Sequence, residues 1–271
     1  MFNNMNILSR GFIKKEIVPC LSFSNGQSNC KVSCCDVVLA ILKKLKSGCQ
    51  WRELNWRTFF RKQYSWTSIY YHFQKWRDDG SWEKCWFQLV SKYRCKLDMS
   101  SVQLDGSHTL AKRGGEAVGY QARKKGKTTN MLFISDNQGI PLVFSEPVAG
   151  NHHDSYELID QVEKMYKLLI NAKISIAGLF LNADAGFDSR KFRNHCYAND
   201  ISANIDFNKR NNTEYEDIIL DEELYKNRFV IERTNAWLDA FKNLIIRYDT
   251  KSSSWKAWHY MALIVIFARR L

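Results

Sequence analysis

The 271-residue chain is 45% hydrophobic, 14% aromatic and 25% charged, a composition typical of a folded globular protein. With 13 glycines and 3 prolines it is not collagen-like or linker-like. Its longest apolar run, residues 261–268, is too short to span a bilayer, and residues 1–15 lack the continuous apolar segment of a secretory signal. We therefore predict a cytoplasmic protein with no membrane partner.

The positive charge is concentrated in the first third of the chain. The formal net charge is +12, of which residues 1–100 carry +10 and the remaining 171 residues carry +2. A basic part beside a near-neutral part is typical of a protein in which one region binds a polyanion and another does something else. The eight cysteines include no C-x2-C pair, so the sequence does not predict a zinc knuckle.

Residues 1–99 are predicted to form a basic, helical DNA-binding domain. Apolar side chains at helical spacing predict helices over 34–46, 65–78 and 81–94, with Asp79-Gly80 between the last two. Six of the nine tryptophans lie between residues 51 and 86 and are expected to form its core. The outline resembles a helix-turn-helix. The cations expected to contact DNA are Arg52, Arg57, Arg61, Lys62, Lys75 and Arg77.

Residues 100–271 change to a pattern of strands followed by alternating helices and strands. This order predicts an α/β domain with a mixed sheet flanked by helices. Expected strands are 101–105, 129–136, 141–148, 174–183 and 201–205; expected helices are 155–169, 189–198, 222–242 and 254–268; and 208–217 is expected to be an exposed loop.

Two aspartates end apolar segments of this domain. Asp105 follows the apolar strand at 101–105, and Asp184 follows the most hydrophobic strand. Ligands of α/β proteins bind beyond the carboxyl ends of their strands, so both residues stand at candidate site positions. Aspartate is also a common turn residue, and for either residue alone a surface turn is an equally good interpretation.

Glu232 is the third candidate carboxylate. It lies on a helical stripe, spaced 3, 4, 3 and 4, with Tyr225, Arg228, Asn235 and Asp239. Three carboxylates from two strand ends and a helix could hold two divalent metals, and their hard oxygen ligands suit Mg²⁺. Beside a basic domain, that set of residues predicts phosphodiester chemistry on nucleic acid.

At this level of detail the chain resembles a DDE transposase of the insertion-sequence IS5 group, within the IS4/IS5 class. The resemblance covers roughly residues 30–268 and rests on several blocks of sequence. Leu104-Asp-Gly-Ser-His and Asn182-Ala-Asp-Ala-Gly-Phe-Asp resemble the blocks that bear the two catalytic aspartates. Gly150-Asn-His-His-Asp-Ser resembles the central stretch, and Tyr225, Arg228 and Glu232 match the Tyr-x2-Arg-x3-Glu signature, the most specific block.

The resemblance implies an RNase H-like catalytic core in which Asp105, Asp184 and Glu232 are the catalytic and metal-binding residues. It implies two Mg²⁺ ions, with Mn²⁺ as an expected substitute. It further implies double-stranded DNA partners, namely terminal inverted repeats and target DNA, and a homodimer or higher oligomer on DNA at the nucleoid. Tyr225, Arg228 and His108 are expected to support the site. One position departs from the signature, because Asp239 stands where the family has a lysine; Lys242, one turn further, is the nearest candidate replacement.

Other residues near these blocks remain open to two interpretations. His108 could touch substrate or hold the site together, and His152, His153 and Asp154 could be structural or adjacent to substrate. The basic run of Arg123, Lys124, Lys125 and Lys127 is either a solvated hairpin or a grip on the DNA backbone.

Two alternative functions remain. A catalytically inactive DNA-binding relic or repressor of its own element would have the same sequence features. A small-molecule metallohydrolase built on His108, His152, His153 and Asp184 would leave the basic N-terminal domain unexplained.

Overall fold

A computed structural model describes residues 7–22, 32–208 and 220–271. Its N-terminal part is helical, as the sequence predicts, and the three predicted helices are confirmed to within about two residues at each end. Asp79 and Gly80, the latter with φ of +72°, turn the chain between the last two helices. The helices are α1 (Arg10–Phe12), followed by short π and 3-10 turns at Ile13–Ile17 and Val18–Cys20, then α2 (Cys34–Ser47), α3 (Trp66–Asp78) and α4 (Ser81–Lys92).

The C-terminal part contains one mixed sheet. Its strands are β1 (Val102–Ala111), β2 (Gly119–Gln121), β3 (Gly126–Asp136), β4 (Pro141–Phe144), β5 (Val148–Ala149), β6 (Phe180–Ala183), β7 (Ser202–Ile205) and β8 (Ile246–Arg247). The main path runs β2-β3-β1-β6-β7, with β4 and β5 beside β3 and β8 beside β1. β1 is antiparallel to β3 but parallel to β6, and β6 is parallel to β7. The predicted mixed sheet is confirmed, and this order of antiparallel and parallel strands is RNase H-like.

Helices cover the sheet and connect its parallel strands. α5 (Leu158–Asn171) precedes β6, and α6 (Arg190–Ala198) lies between β6 and β7. The chain ends with α7 (Glu222–Lys226), α8 (Val230–Asp239), α9 (Lys242–Ile245) and α10 (Ser252–Ala268). Within the described ranges, no helix is long and apolar enough to cross a membrane.

α10 packs against both the helical part and the sheet. Phe73 of α3 stacks on Trp258 of α10 with ring centroids 4.2 Å apart, and Phe144 of β4 contacts Tyr260 at 4.5 Å. The Trp86 indole of α4 also donates a hydrogen bond of 2.9 Å to the Leu142 carbonyl. The hydrophobic core is therefore continuous across the predicted boundary at residue 99. The division into two functional domains stays a prediction.

Three predicted strands differ from the observed ones. The strand expected at 101–105 continues to Ala111, because β3 pairs with it as far as Leu110, so Asp105 lies within β1 and not at its end. The strand expected over 174–183 is only Phe180–Ala183, and Gly178 turns the chain before it with φ of +79°. The strand expected over 141–148 divides into β4 and β5.

The helix expected over 222–242 is interrupted. A 3-10 turn at Asn227–Phe229 separates α7 from α8, and the chain turns again at Phe241, before α9. The predicted stripe from Tyr225 to Asp239 is therefore not one continuous helical face. Most of the loop expected at 208–217 lies outside the described residues.

Candidate active site

The pairing of β1 with β6 brings Asp105 and Asp184 together. The two strands run parallel, and Leu104 pairs with Ala183, so the next residue on each strand is one of these aspartates. Asp184 directly follows β6 and starts the 3-10 turn Ala185–Phe187. Asp184 is exposed, whereas Asp105 is half-buried. Asp184 thus stands at a strand end as predicted, and Asp105 reaches the same place from within a longer strand.

The surroundings of the Asp105 carboxylate disfavour its negative charge. Burial raises its pKa to about 6, and the negative charges of Asp154 and Asp184 act in the same direction. The opposing hydrogen bonds come from the Gly106 backbone and from Asn235 Nδ2, which is 3.4 Å from Asp105 Oδ2. A buried carboxylate beside two others, with only neutral donors, fits a divalent cation as its missing partner.

Glu232 lies on the helix that faces these aspartates. It is exposed on α8, one turn before Asn235, whose amide reaches Asp105. Within the part of the chain that the structure describes, however, no three His, Cys, Asp or Glu side chains are grouped closely enough to hold a metal ion. The structure therefore brings Asp105 and Asp184 side by side and places Glu232 on the adjoining helix, without closing the three into one ligand set.

Asp154 is a fourth carboxylate at this place, and the sequence interpretation left its role open. Its Oδ1 accepts a hydrogen bond of 2.6 Å from Asn130 Nδ2 and lies 3.5 Å from His108 Nε2. It lies directly over Gly106, where any β-carbon would overlap the carboxylate. The requirement for glycine immediately after Asp105 is the sequence signal that could have indicated a close neighbour.

The histidines do not converge on one point. His108 contacts Asp154 and, through Nδ1, Thr128 Oγ1 at 3.3 Å. His152 stacks on Tyr156 with ring centroids 3.7 Å apart, and His153 is exposed. The ligand set required for the alternative metallohydrolase is therefore not assembled among these described residues.

Arg228 packs against two aromatic rings, and its expected supporting role in the site stays a prediction. Its guanidinium lies over the rings of Tyr225 and Phe229, 4.7 and 4.1 Å from their centroids. Its Nε is buried and has no hydrogen-bond partner among the described residues. Burial raises the pKa of the Tyr225 phenol, and the charge of Asp184 contributes, so this pair lies near the aspartates.

A cavity of about 290 Å³ opens beside β1, and we call it the β1 cavity. Phe133, Trp255 and His259 are among its apolar and aromatic lining. Asn235 and Asp239 of α8 also line it. Lys242 lies elsewhere, against Gly48 at the end of α2. Lys242 therefore does not occupy the place of Asp239, because the chain turns between α8 and α9.

Most of the predicted DNA-contacting cations are on the surface. Arg52, Arg57, Arg61 and Lys62 are exposed, as are Arg123, Lys124, Lys125 and Lys127 around the turn from β2 to β3, and Lys75 is half-buried.

Lys124 and Arg77 differ from the other predicted cations. The Lys124 ammonium donates a hydrogen bond of 3.0 Å to the His108 carbonyl, and Lys124 lines the β1 cavity. Arg77 is less accessible than the others, because its side chain is 4% exposed and its guanidinium binds Asp78 and Ser254, and its contact with DNA stays a prediction.

The strand order and the acidic edge of β1 and β6 define an RNase H-like α/β protein. A family model described as the transposase DDE domain matches residues 95–267, and one described as a putative transposase of the IS4/5 family matches residues 16–86. The chain therefore belongs to the DDE transposases, with an N-terminal part of the IS4/5 type.

Two solved structures are similar in outline. They are a Mos1 transposase paired-end complex with the left transposon end, at 12% identity and a TM-score of 0.31, and a pre-cleavage Mos1 transpososome, at 13% and 0.30. Each match covers 85% of this chain and 76% of the other. A comparison with curated protein sequences finds no match.

Proposed function

We propose that this DDE transposase belongs to the IS5 group, binds the terminal inverted repeats of an insertion sequence, and catalyses both DNA cleavage and strand transfer. The observation that carries the proposal is the adjacency of Asp105 and Asp184 at the parallel β1–β6 edge, with the α8 residue Asn235 on Asp105. The basic helical part and the basic β2–β3 turn supply surfaces for the DNA backbone.

DDE transposases depend on divalent metal ions, and the donor set here fits such ions. Asp105, Asp184 and Glu232 would hold two Mg²⁺ ions, with Mn²⁺ able to substitute. When bound, these ions activate the attacking oxygen and stabilise the leaving oxygen. Asp105 is the central ligand in this proposal because burial and the neighbouring charges of Asp154 and Asp184 all raise its pKa, an effect that a bound cation would offset.

The protein residues around this edge position the reacting groups. The Asn235 amide fixes Oδ2 of Asp105, while Asn130 and His108 fix Asp154 beside it. In the first step a bond forms between the water oxygen and phosphorus as the bond between phosphorus and the 3′-oxygen of the element breaks; the water loses a proton to solvent and the departing 3′-oxygen takes one up, which leaves a 3′-hydroxyl and a 5′-phosphate. In the second step the oxygen of this 3′-hydroxyl bonds to a target phosphorus and releases its proton to solvent, while the bond from that phosphorus to the target's own 3′-oxygen breaks and the departing oxygen is protonated. No covalent enzyme intermediate is required.

A cleavage assay on duplex DNA carrying the flanking inverted repeats tests this proposal with the full chain. We expect cleavage at the element end, with a free 3′-hydroxyl, only when Mg²⁺ or Mn²⁺ is present. Binding of the repeats without cleavage under either ion would favour the repressor alternative. Failure to prefer repeat DNA over unrelated DNA would contradict the transposase proposal itself.

The assembly and location of the protein are part of the same proposal. Transposition joins two element ends, so we propose a homodimer or higher oligomer on DNA, acting at the nucleoid. Sedimentation velocity of the protein with and without repeat DNA tests the first point. A single copy of the chain on each DNA molecule carrying both ends would contradict it.

A further inference from the structure

Five cations cluster on the side of α8 that is opposite to the β1 cavity. Arg233 lies on α8, Lys242 on α9, Lys46 at the end of α2, and Arg269 and Arg270 just after α10. We call these five residues the basic patch. None of them is among the individual cations that the sequence predicts to contact DNA, although Lys46 lies in the predicted DNA-binding domain. On α8, Asn235 and Asp239 line the β1 cavity, whereas Trp237 lines the basic patch.

Two cations of the basic patch, Arg269 and Arg270, line a groove between α8 and α10. The groove has a volume of about 380 Å³, and Trp237, Phe241, Val265 and Ile266 form its apolar floor. Arg269 and Arg270 stand at its rim. The groove is thus an apolar depression edged with positive charge.

The protein holds these cations in place through rings and carbonyl groups. The Arg270 guanidinium lies 3.3 Å from the centroid of the Trp237 ring and donates to the Ile266 carbonyl at 2.9 Å. Lys46 donates to the Ala240 carbonyl at 2.6 Å and lies over Phe241. Arg233 donates to the Gln138 carbonyl at 3.2 Å. Such contacts fix the positions of the side chains but leave their charges uncompensated.

The basic patch has no ion pair of its own. Within the described ranges, none of the five cations has a carboxylate oxygen within 4.0 Å, although other cations such as Arg193 do. Burial and the charges of Arg269 and Lys242 lower the pKa of Lys46. Burial and the charge of Arg233 lower the pKa of Arg270; Asp136 opposes them, and Arg269 adds a smaller lowering effect. Lys46 and Arg270 are therefore repelled by neighbouring cations of the patch, and a polyanion would relieve that repulsion.

We propose that the basic patch binds the sugar–phosphate backbone of a DNA segment that extends beyond the reaction point. This inference rests on the proposed function, because Arg233 directly follows Glu232 on α8. DNA whose phosphate lies at Glu232 would therefore continue past Arg233 toward Arg269 and Arg270. Guanidinium groups bind phosphate oxygens in a two-pronged geometry, and cations spread over four elements suit a ligand with regularly repeated charges.

Neutralising the patch tests this proposal in the full-length protein. The test variant carries Lys242→Gln, Arg269→Gln and Arg270→Gln. The matched control carries Lys164→Gln, Lys173→Gln and Lys191→Gln, which change the net charge equally at exposed residues that lie neither in the patch nor in the predicted DNA-binding domain. The affinity for labelled duplex containing one repeat and its flanking DNA is measured by anisotropy between 50 and 300 mM salt.

Each lost phosphate contact reduces the slope of log affinity against log salt by about 0.9. We therefore expect the test variant to lower that slope by about 2 to 3 and the affinity near 100 mM salt on the order of a hundredfold. The control should change the slope by less than about 0.9, the value expected for one phosphate contact. Thermal unfolding of each variant monitors folding, and Arg269→Lys with Arg270→Lys should retain most of the wild-type slope.

Other outcomes identify which proposal fails. An unchanged slope in a folded test variant, with normal repeat binding by the wild type, overturns the basic patch but not the transposase function. Altered self-association with unchanged DNA affinity would assign the groove to a second copy of the chain and also overturn it. If the wild-type chain bound no DNA, both proposals would fall.

Discussion

The two sides of α8 present opposite electrostatic surfaces. On one side, Asn235 contacts Asp105, beside which lie Asp184 and Asp154. On the other side, Trp237 supports Arg270 within the basic patch. A single helix of 10 residues separates them. On both sides the charged groups lack enough opposite charge nearby. A small cation would supply it on the acidic side, and a polyanion would supply it on the basic side.

This difference assigns separate tasks to the two sides. Phosphoryl transfer needs carboxylates close to the reacting phosphate, where they would repel DNA if no cation were bound. Affinity for DNA is obtained more effectively from cations placed away from the reacting atoms. Changes on the acidic side should therefore affect the rate of cleavage, and changes on the basic side should affect the strength and salt dependence of binding.

The largest effect is expected from neutralising the carboxylates of the acidic side. Asp105→Asn, Asp184→Asn and Glu232→Gln should each lower the cleavage rate at least about a thousandfold, roughly 4 kcal/mol of activation free energy. Repeat binding should change little. Single-turnover cleavage in Mg²⁺ measures the first quantity and anisotropy the second.

Asp200→Asn is the control for this series, since Asp200 is exposed beyond α6 and its left-handed φ of +56° is tolerated by asparagine. Asp188 would be a poor control because it is buried against Arg193. Near-normal cleavage by any of the three variants would remove that residue from the proposed ligand set.

A second change tests whether Asp154 is part of the acidic side. Gly106→Ala should force the Asp154 carboxylate away from Asn130 and lower the stability by about 1–3 kcal/mol. Cleavage should also fall, because the displaced carboxylate disturbs Asp105. In a background of Asp154→Ala, the same glycine substitution should cost much less, and denaturant unfolding of the four proteins measures this coupling. Strict additivity would show that the two residues act independently.

The floor of the β1 cavity gives a third test, which depends on pH. His259 is buried among Phe133, Phe144 and Trp255, and burial lowers its pKa from 6.5 to about 4. Because the unfolded chain binds this proton more readily, the stability contributed by neutral His259 is present above pH 6.5 and is lost as the pH falls toward 4. At pH 5 the loss is on the order of 2 kcal/mol relative to pH 7.

Denaturant unfolding at pH 7 and pH 5 measures this effect as a difference between the wild type and His259→Gln. Asp105 and Asp136, whose pKa values burial raises to about 6, act in the opposite direction, so only the difference between proteins is informative. His153→Gln, at an exposed site, should retain the wild-type pH dependence. The same pH dependence in His259→Gln would show that this imidazole is not held neutral.

The smallest effect is expected on the basic side. Trp237→Ala removes the ring beneath Arg270 and should weaken DNA binding about two- to fivefold, the range of an exposed cation–π contact. Cleavage at saturating protein should stay near the wild-type rate. Tyr197→Ala is the comparison, because Tyr197 is 87% exposed and stands apart from both sides of α8. A change in the cleavage rate without a change in affinity would contradict the assignment of separate tasks.

Local sequence patterns were sufficient for the helices α2, α3 and α4 and for the position of Asp184 at a strand end. α2, α3 and α4 each bury one face, and helical spacing of apolar residues reveals such a face without knowledge of its partner. Asp184 was correctly expected at a strand end because an apolar run stops immediately before it. These features depend on neighbours within about ten residues, so the sequence contains them directly.

The sequence by itself determined the class of fold, the family and the positions of Asp105, Asp184 and Glu232 along the chain. Only the tertiary structure decided that β1 extends past Asp105, that Asp154 lies over Gly106, and that the Arg77 guanidinium is hydrogen-bonded to Asp78 and Ser254. The basic patch likewise assembles cations from α2, α8, α9 and the end of α10. Each of these features depends on contacts between distant segments, which the periodicity of a single segment does not encode.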